Sequence, residues 1–282
     1  MNQTISNLAR VDTTWHPINR KDHRIITHND YDVLVTEPTA VYCDNSLVAI
    51  YLPTGVWPQK DVDELFVSLE ELYFYFDPQR RTAGLSAATQ TFGWVPRRAS
   101  RHDFCHIAAL ATSYPDLHER LCELGKYASQ IYSEFVPHVY QQHLETVTAK
   151  MDKRHLVSGV YTSGVVNKNS VLGGHTDAGN VPKTWNSQLT IKKDIEDSYL
   201  VMPELRVALE VADGSMALFE AQSVWHGVTP VLKTRKTAVR YSVVWFSTQA
   251  LKDCLPRDEE IARIQRKKTE REWKRAGLWT TE

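Results

Sequence analysis

The 282-residue chain has only four cysteines, Cys43, Cys105, Cys122 and Cys254, and no two of them form a CxxC pair. Such scattering argues against a zinc ribbon or a disulfide scaffold and makes a reducing compartment the default. A charge excess is missing as well. With 33 basic and 34 acidic residues the formal net charge is -1, so no whole-molecule field draws the protein to nucleic acid. Any such binding has to come from a local patch. No apolar run approaches the roughly 18 residues of a membrane span, and the polar start of the chain lacks the apolar core of a leader. Together these absences predict a cytoplasmic or nuclear protein.

What is present suits one substantial core: 42% hydrophobic and 24% charged residues are ordinary for a globular chain. His16, His23 and His28 have no spacing suited to a compact metal site and are expected in solvent. From Tyr31 to Tyr51, three short β-branched and aromatic runs predict a small antiparallel meander, followed by a helix over Val62 to Phe76. Between Arg80 and Arg101, basic residues interleave with Phe92, Gly93 and Trp94, and Arg97 and Arg98 follow. Either this is a plain solvated loop or it holds phosphates and stacks on a flat ring.

Helical patterns run from Asp103 to Ala111 and from Asp116 to Lys150, the second broken near Phe135 or Val136 by Pro137. Beyond His155 the texture changes to short strands, expected at Leu156–Val166, Gln188–Ile191, Arg206–Val211, Ser215–Glu220, Val228–Leu232 and Ala238–Phe246. Asp213-Gly214 between two of them is a hairpin signal. The tail from Pro256 to Trp279 reads as a highly charged surface helix, either plainly solvated or in contact with a phosphate backbone. The predicted class is α+β: a jelly-roll core over 155–250, buttressed by N-terminal strands and helices over 1–154, with a charged C-terminal helix over 251–282, all in one domain.

Chemistry concentrates in Gly173-Gly174-His175-Thr176-Asp177-Ala178-Gly179-Asn180. His175 and Asp177 are two apart, so on a strand they share a face, and a later histidine can complete a three-ligand cap for a metal. His226, in Trp225-His226-Gly227, is that candidate. HxD alone is short and common. Arg240 adds weight because it falls inside an apolar strand, where a guanidinium needs an anionic partner such as a bidentate carboxylate. Ser242, two residues on, shares its face and can donate a second hydrogen bond.

With HxD, a distal histidine and Arg-x-Ser, residues 155–250 resemble the Fe(II) and 2-oxoglutarate dependent dioxygenases of double-stranded β-helix fold. The resemblance implies His175, Asp177 and His226 as iron ligands, Arg240 and Ser242 as the seat of the distal carboxylate of 2-oxoglutarate, and O2 as second cosubstrate, with no further catalytic side chain. His175-x-Asp177-x-x-Asn180 is similar to the TET and JBP branch, which hydroxylates the 5-methyl group of pyrimidines in DNA. That branch implies DNA as partner, Asn180 as a contact to the base, and Phe92, Trp94, Arg97 and Arg98 as stacking and phosphate contacts. Three alternatives stay open: the same oxygenase acting on a protein side chain, amino acid or metabolite; a zinc hydrolase on the same ligands; and a non-catalytic DNA-binding module.

Overall fold

The computed structural model describes residues 5–20, 24–76, 86–98 and 103–278. Strands β1 (Ala9–Thr13), β2 (Val33–Val35), β3 (Thr39–Cys43) and β4 (Ser46–Leu52) precede helix α1 (Gln59–Glu70). Next come β5 (Tyr75–Phe76), β6 (Ser86–Val95) and β7 (His106–Ile107), and then helices α2 (Leu110–Ser113), α3 (Pro115–Phe135) and α4 (Pro137–Lys150). The second half is strand-rich: β8 (Ser163–Val171), β9 (Asn186–Lys193), β10 (Ile195–Asp197), β11 (Leu200–Met202) and β12 (Val207–Leu209). It continues through β13 (Ser215–Phe219), β14 (Gly227–Val228), β15 (Val231–Lys233) and β16 (Val239–Phe246), and α5 (Arg257–Arg275) closes the chain. Among the described residues no helix is long and apolar enough to cross a membrane.

Two sheets face each other. The larger runs β1-β3-β4-β13-β9-β16-β8-β6-β5, with β7 on β6, and the smaller runs β14-β11-β12-β2. Alternation along each strand sorts the side chains between two cores. On the outer face of the large sheet, Leu189, Ile191, Tyr241, Val243 and Trp245 pack with Leu121, Leu124, Ala128 and Tyr132 of α3. On its inner face, Ala49, Tyr51, Ala217 and Phe219 meet Leu200, Met202, Val207 and Leu209 of the small sheet. This is the expected jelly roll with buttressing helices.

Helix α3 comes unusually close. Gly125 sits mid-helix, where glycine costs about 0.5–1 kcal/mol relative to alanine. Its place is explained by Trp245: a Cβ on Gly125 would lie 2.5 Å from the indole Cδ1 and 2.5 Å from Ser158 Cβ. The indole Nε1 in turn donates to Leu121 O at 2.9 Å, tying helix to sheet.

Several expectations are corrected. β2 leaves the anticipated meander and pairs in parallel with β12, so only β3 and β4 form a hairpin, turning at Asp44 and Asn45 with φ of 48° and 63°. Helix α1 stops at Glu70, because Phe74 is needed in the core against Tyr241 while Tyr73 is exposed. Asp213-Gly214 joins strands of different sheets; the Asp213 carboxylate accepts from Lys192 N and Lys193 Nζ instead of closing a hairpin. Residues 103–111 hold β7 and the start of α2 in place of one helix, and the strand expected from Leu156 begins at Ser163. Pro230 divides the strand expected over Val228–Leu232 into β14 and β15, in different sheets. The break at Pro137 lies where expected. His16 and His28 are exposed as expected, while His23, Arg80, Arg81 and Arg101 lie outside the described residues.

The cysteines also depart from expectation. Cys105 and Cys254 form a disulfide with a Cα–Cα distance of 5.8 Å, while Cys43 and Cys122 are free and buried. The bond joins the segment before α2 to the start of α5. Ion pairs hold the same two parts together: Arg97 with the buried Glu260, and Asp103 with Arg263 and with Lys267 at 2.8 Å. Part of the basic charge of the C-terminal helix is thus spent inside the protein.

Two predictions test this architecture. Gly125→Ala should lose about 1–3 kcal/mol in urea unfolding despite its better helix propensity, through overpacking against Trp245. Unchanged or higher stability would contradict the close approach. The second concerns His143, fully buried, with Nε2 2.8 Å from Ser247 Oγ. Burial pushes its pKa down to about 3, against about 6.5 for an unfolded histidine. The unfolded chain therefore gains more protons as pH falls below about 6.5, so stability is full above that pH and declines towards pH 3. Melting temperature should fall on acidification from pH 7 to 5, and fall less steeply in His143→Gln.

Candidate functional site

His175 and His226 are brought together by the main chain. His175 N donates to His226 O at 2.9 Å and His226 N donates to His175 O at 2.9 Å, a two-bond bridge between segments 51 residues apart in sequence. Gly174 permits it: a Cβ there would stand 2.1 Å from Nε1 of the Trp225 indole. The rings lie with centroids 4.5 Å apart. Each imidazole is oriented in the same way, with Nδ1 2.9 Å from the carbonyl two residues back, Gly173 O for His175 and Val224 O for His226. A carbonyl can only accept, so Nδ1 carries a proton in both rings and Nε2 is the nitrogen left for a ligand. Burial, then the neighbouring His175, pushes the pKa of His226 down to about 4, so this imidazole is neutral near pH 7.

Asp177 completes the group. Its N donates to Ala221 O at 2.8 Å, and its Oδ1 lies 3.7 Å from His175 Nε2. One donor atom from each of His175, Asp177 and His226 falls within 4.8 Å of the others. Two imidazoles and one carboxylate form a donor set that suits a divalent iron and leaves further coordination positions open. His226 is buried while the His175 and Asp177 side chains are each 31% exposed, so the set opens on one side.

A polar strip leads from this group into the sandwich. Asn186, Gln188, Thr190 and Lys192 alternate along the inner face of β9, and Arg240 and Ser242 of β16 pair with Lys192 and Thr190. Asn167 Nδ2 donates to Ser242 Oγ at 3.3 Å. Arg240 is 2% exposed, yet its Nε and Nη2 have no hydrogen-bond partner among the described residues. Burial lowers its pKa to about 10, which still leaves it charged at neutral pH. Half-buried Lys192 has its pKa lowered by burial and then by Arg240. Two cations on one buried face, one with orphaned donors, suit a carboxylate-bearing ligand; this is the fit that 2-oxoglutarate requires.

The other residues singled out from sequence are dispersed. Asn180 lies beside the metal group, 5% exposed, and its Nδ2 donates to Asn186 Oδ1 at 3.0 Å. Phe92 is corrected: the stretch around it is strand β6, not a loop, and its ring packs in the core against Trp245. Trp94 donates its indole N–H to Arg154 O and meets the His155 ring edge-on at 4.5 Å. Arg97 is held by Glu260, which leaves Arg98 as the exposed member of the group. Sequence reading missed Asn186, Lys192 and Asn167. Polar residues at every second position of 186–192 were the available signal.

A jelly roll carrying this donor set at one end of a polar, cationic strip defines the class of 2-oxoglutarate and Fe(II) oxygenases. The chain belongs to the Tet_JBP family, the oxygenase domain of the 2OGFeDO superfamily, whose model matches residues 96–249. It is accordingly a dioxygenase of the class that uses Fe(II), 2-oxoglutarate and O2. No curated protein matches the sequence. Among solved structures, the fold is shared with NgTET1 in complex with 5mC DNA, at a TM-score of 0.63 and 15% identity over 93% of this chain and 91% of that one. A 2OG-Fe(II) oxygenase family oxidoreductase from Burkholderia pseudomallei gives 0.40 and 13% over 71% and 88%. The viral collagen prolyl hydroxylase vCPH from Paramecium Bursaria Chlorella virus-1, in its 2OG complex, gives 0.36 and 11% over 70% and 94%.

The orphaned guanidinium generates a paired prediction. Replacing Arg240 by methionine removes a buried charge whose Nε and Nη2 have no hydrogen-bond partner among the described residues, so the ligand-free melting temperature should rise or hold. The same change should weaken 2-oxoglutarate binding by about 30-fold or more, the equivalent of about 2 kcal/mol. Calorimetric titration under anaerobic conditions, alongside thermal melts, reads both. A destabilised variant with undiminished binding would refute the assignment.

Proposed function

We propose that this protein hydroxylates the 5-methyl group of a pyrimidine in DNA, with His175, Asp177 and His226 as iron ligands and Arg240, helped by Ser242, seating the distal carboxylate of 2-oxoglutarate. The observation that carries the reading is the orphaned, buried guanidinium of Arg240 on the same polar face that reaches Asp177 through Asn186. Bound iron with 2-oxoglutarate and O2 supplies the oxidation of an unactivated C–H bond. The chain's own task is to hold metal and cosubstrate, place the methyl group, and keep water away from the reacting atoms. The two imidazoles offer Nε2 to the metal because their Nδ1–H groups are committed to carbonyl oxygens. No side chain acts as nucleophile.

Substrate identity rests on family membership, on the fold shared with a protein solved with 5mC DNA, and on Asn180. With its amide N–H groups directed to Asn186 and Asp177, Asn180 has its carbonyl oxygen left, an acceptor. Of the two 5-methylpyrimidines, 5-methylcytosine offers the matching exocyclic amino donor, whereas thymine offers a carbonyl there. A base turned out of the helix meets this acceptor, and exposed Arg98 contributes a phosphate contact. In this reading residues 1–282 act as one catalytic unit, in the cytoplasm or nucleus where DNA is found.

Mass spectrometry of nucleosides after incubation with methylated or thymidine-only DNA tests the proposal. The expected product is 5-hydroxymethylcytosine, formed faster than 5-hydroxymethyluracil, and His175→Ala or Asp177→Ala should abolish succinate formation. Unmodified DNA together with turnover on a peptide or free amino acid would assign the chemistry to another substrate.

A further inference from the structure

Asn186, the first residue of β9, is 2% exposed and pairs across the sheet with Phe219, whose ring packs edge-on against His226 at 4.9 Å. Both ends of its amide are nonetheless engaged. Nδ2 donates to Asp177 Oδ2 at 2.9 Å, and Oδ1 accepts from Asn180 Nδ2 at 3.0 Å. The polarity of this chain is fixed by chemistry: an ionised carboxylate only accepts, so Asn186 must turn its nitrogen to Asp177 and its oxygen to Asn180. Asn180 Nδ2 also reaches Asp177 Oδ2, at a longer 3.5 Å. Both amides therefore address the same carboxylate oxygen. The other, Oδ1, is the one that lies 3.7 Å from His175 Nε2, within the donor group.

We propose that Asn186 is the positioning residue for the Asp177 carboxylate, holding Oδ2 in a hydrogen bond so that Oδ1 is the oxygen presented to the metal. This rests on the reading of His175, Asp177 and His226 as the metal ligands. A carboxylate on a single Cβ–Cγ bond can rotate to present either oxygen or both. A neutral amide donor selects one orientation without adding charge to the site, and the rigid strand on which it stands fixes the direction of the bond. Asn186 also decides which group of Asn180 is left over, because its Oδ1 takes the Asn180 amide hydrogen. The orientation of the Asp177 carboxylate and the acceptor beside it are thereby set by one side chain.

The test uses Co(II) as a spectroscopically visible probe, titrated into the full-length metal-free protein, its Asn186→Leu and Asn186→Ala variants, and His175→Ala. Leucine keeps the branched shape of Asn186 without a donor; alanine keeps the test available if leucine disrupts the fold, which circular dichroism monitors. The expected result is Co(II) binding weakened about 10- to 100-fold in the folded Asn186 variants, with an altered visible absorption band. Wild-type affinity and an unchanged band in a folded Asn186 variant would overturn the proposal, while a loss of binding in His175→Ala keeps the metal assignment intact. Identical behaviour of wild type and His175→Ala would instead overturn the metal assignment, and the proposal with it. A purely structural role for Asn186 lowers the melting temperature without moving either Co(II) readout.

Discussion

Two reciprocal backbone hydrogen bonds, between His175 and His226, are the constraint on which the site depends. They lock together two loops that the sandwich has already brought side by side. Within each loop the imidazole donates its Nδ1–H to the carbonyl two residues back. The rings are thus aimed and placed in the right tautomer by local main chain alone, independent of any ligand. Asp177 is fixed differently, by its own N–H to Ala221 O and by a side-chain amide from β9. Backbone bonds set the histidines and a buried polar side chain sets the carboxylate.

The inner face of the large sheet illustrates a conflict between folding and function. A sandwich gains stability by facing apolar residues inward, as Ala217, Phe219, Leu200 and Met202 do here. Beside them the same interior carries Asn186, Gln188, Thr190, Lys192, Arg240 and Ser242. Most of these have partners: Gln188 donates to Thr190, Asn186 to Asp177 and Lys192 to Asp197 O, and Ser242 accepts from Asn167. Nε and Nη2 of Arg240 have none among the described residues, and buried donors left unpaired cost free energy. Such a residue persists where a ligand repays the cost on binding. Stability is drawn elsewhere, from the outer face, where α3 packs so close that Gly125 has no room for a methyl group.

How much of this was legible in sequence varied by the range of the interactions involved. The jelly-roll half, the break at Pro137 and the His, Asp, His and Arg constellation could be read directly, because short-range periodicity and residue chemistry carry them. The Phe92 to Arg98 stretch was misjudged because interleaved basic and aromatic residues look alike in a binding loop and in a strand whose arginine is claimed by a distant partner. Arg97 pairs with Glu260, 163 residues away, and Phe92 meets Trp245 across the core. Asp213-Gly214 had the chemistry of a hairpin turn, yet its flanking strands belong to different sheets. Local sequence prescribes a turn but not the partners of the strands it joins.

By itself, the sequence determined which groups are chemically able to act: two imidazoles, a carboxylate, a guanidinium in an apolar strand, and an Asn three residues beyond the carboxylate. Only the tertiary structure decided how they are used. The burial of Arg240, the orientation of both imidazoles, and the commitment of the Asn180 amide to Asn186 all depend on contacts between segments remote in the chain or on backbone geometry. The physical reason is that a hydrogen bond or a desolvated charge is a property of a pair or an enclosure, and neither exists until the sheets close around it.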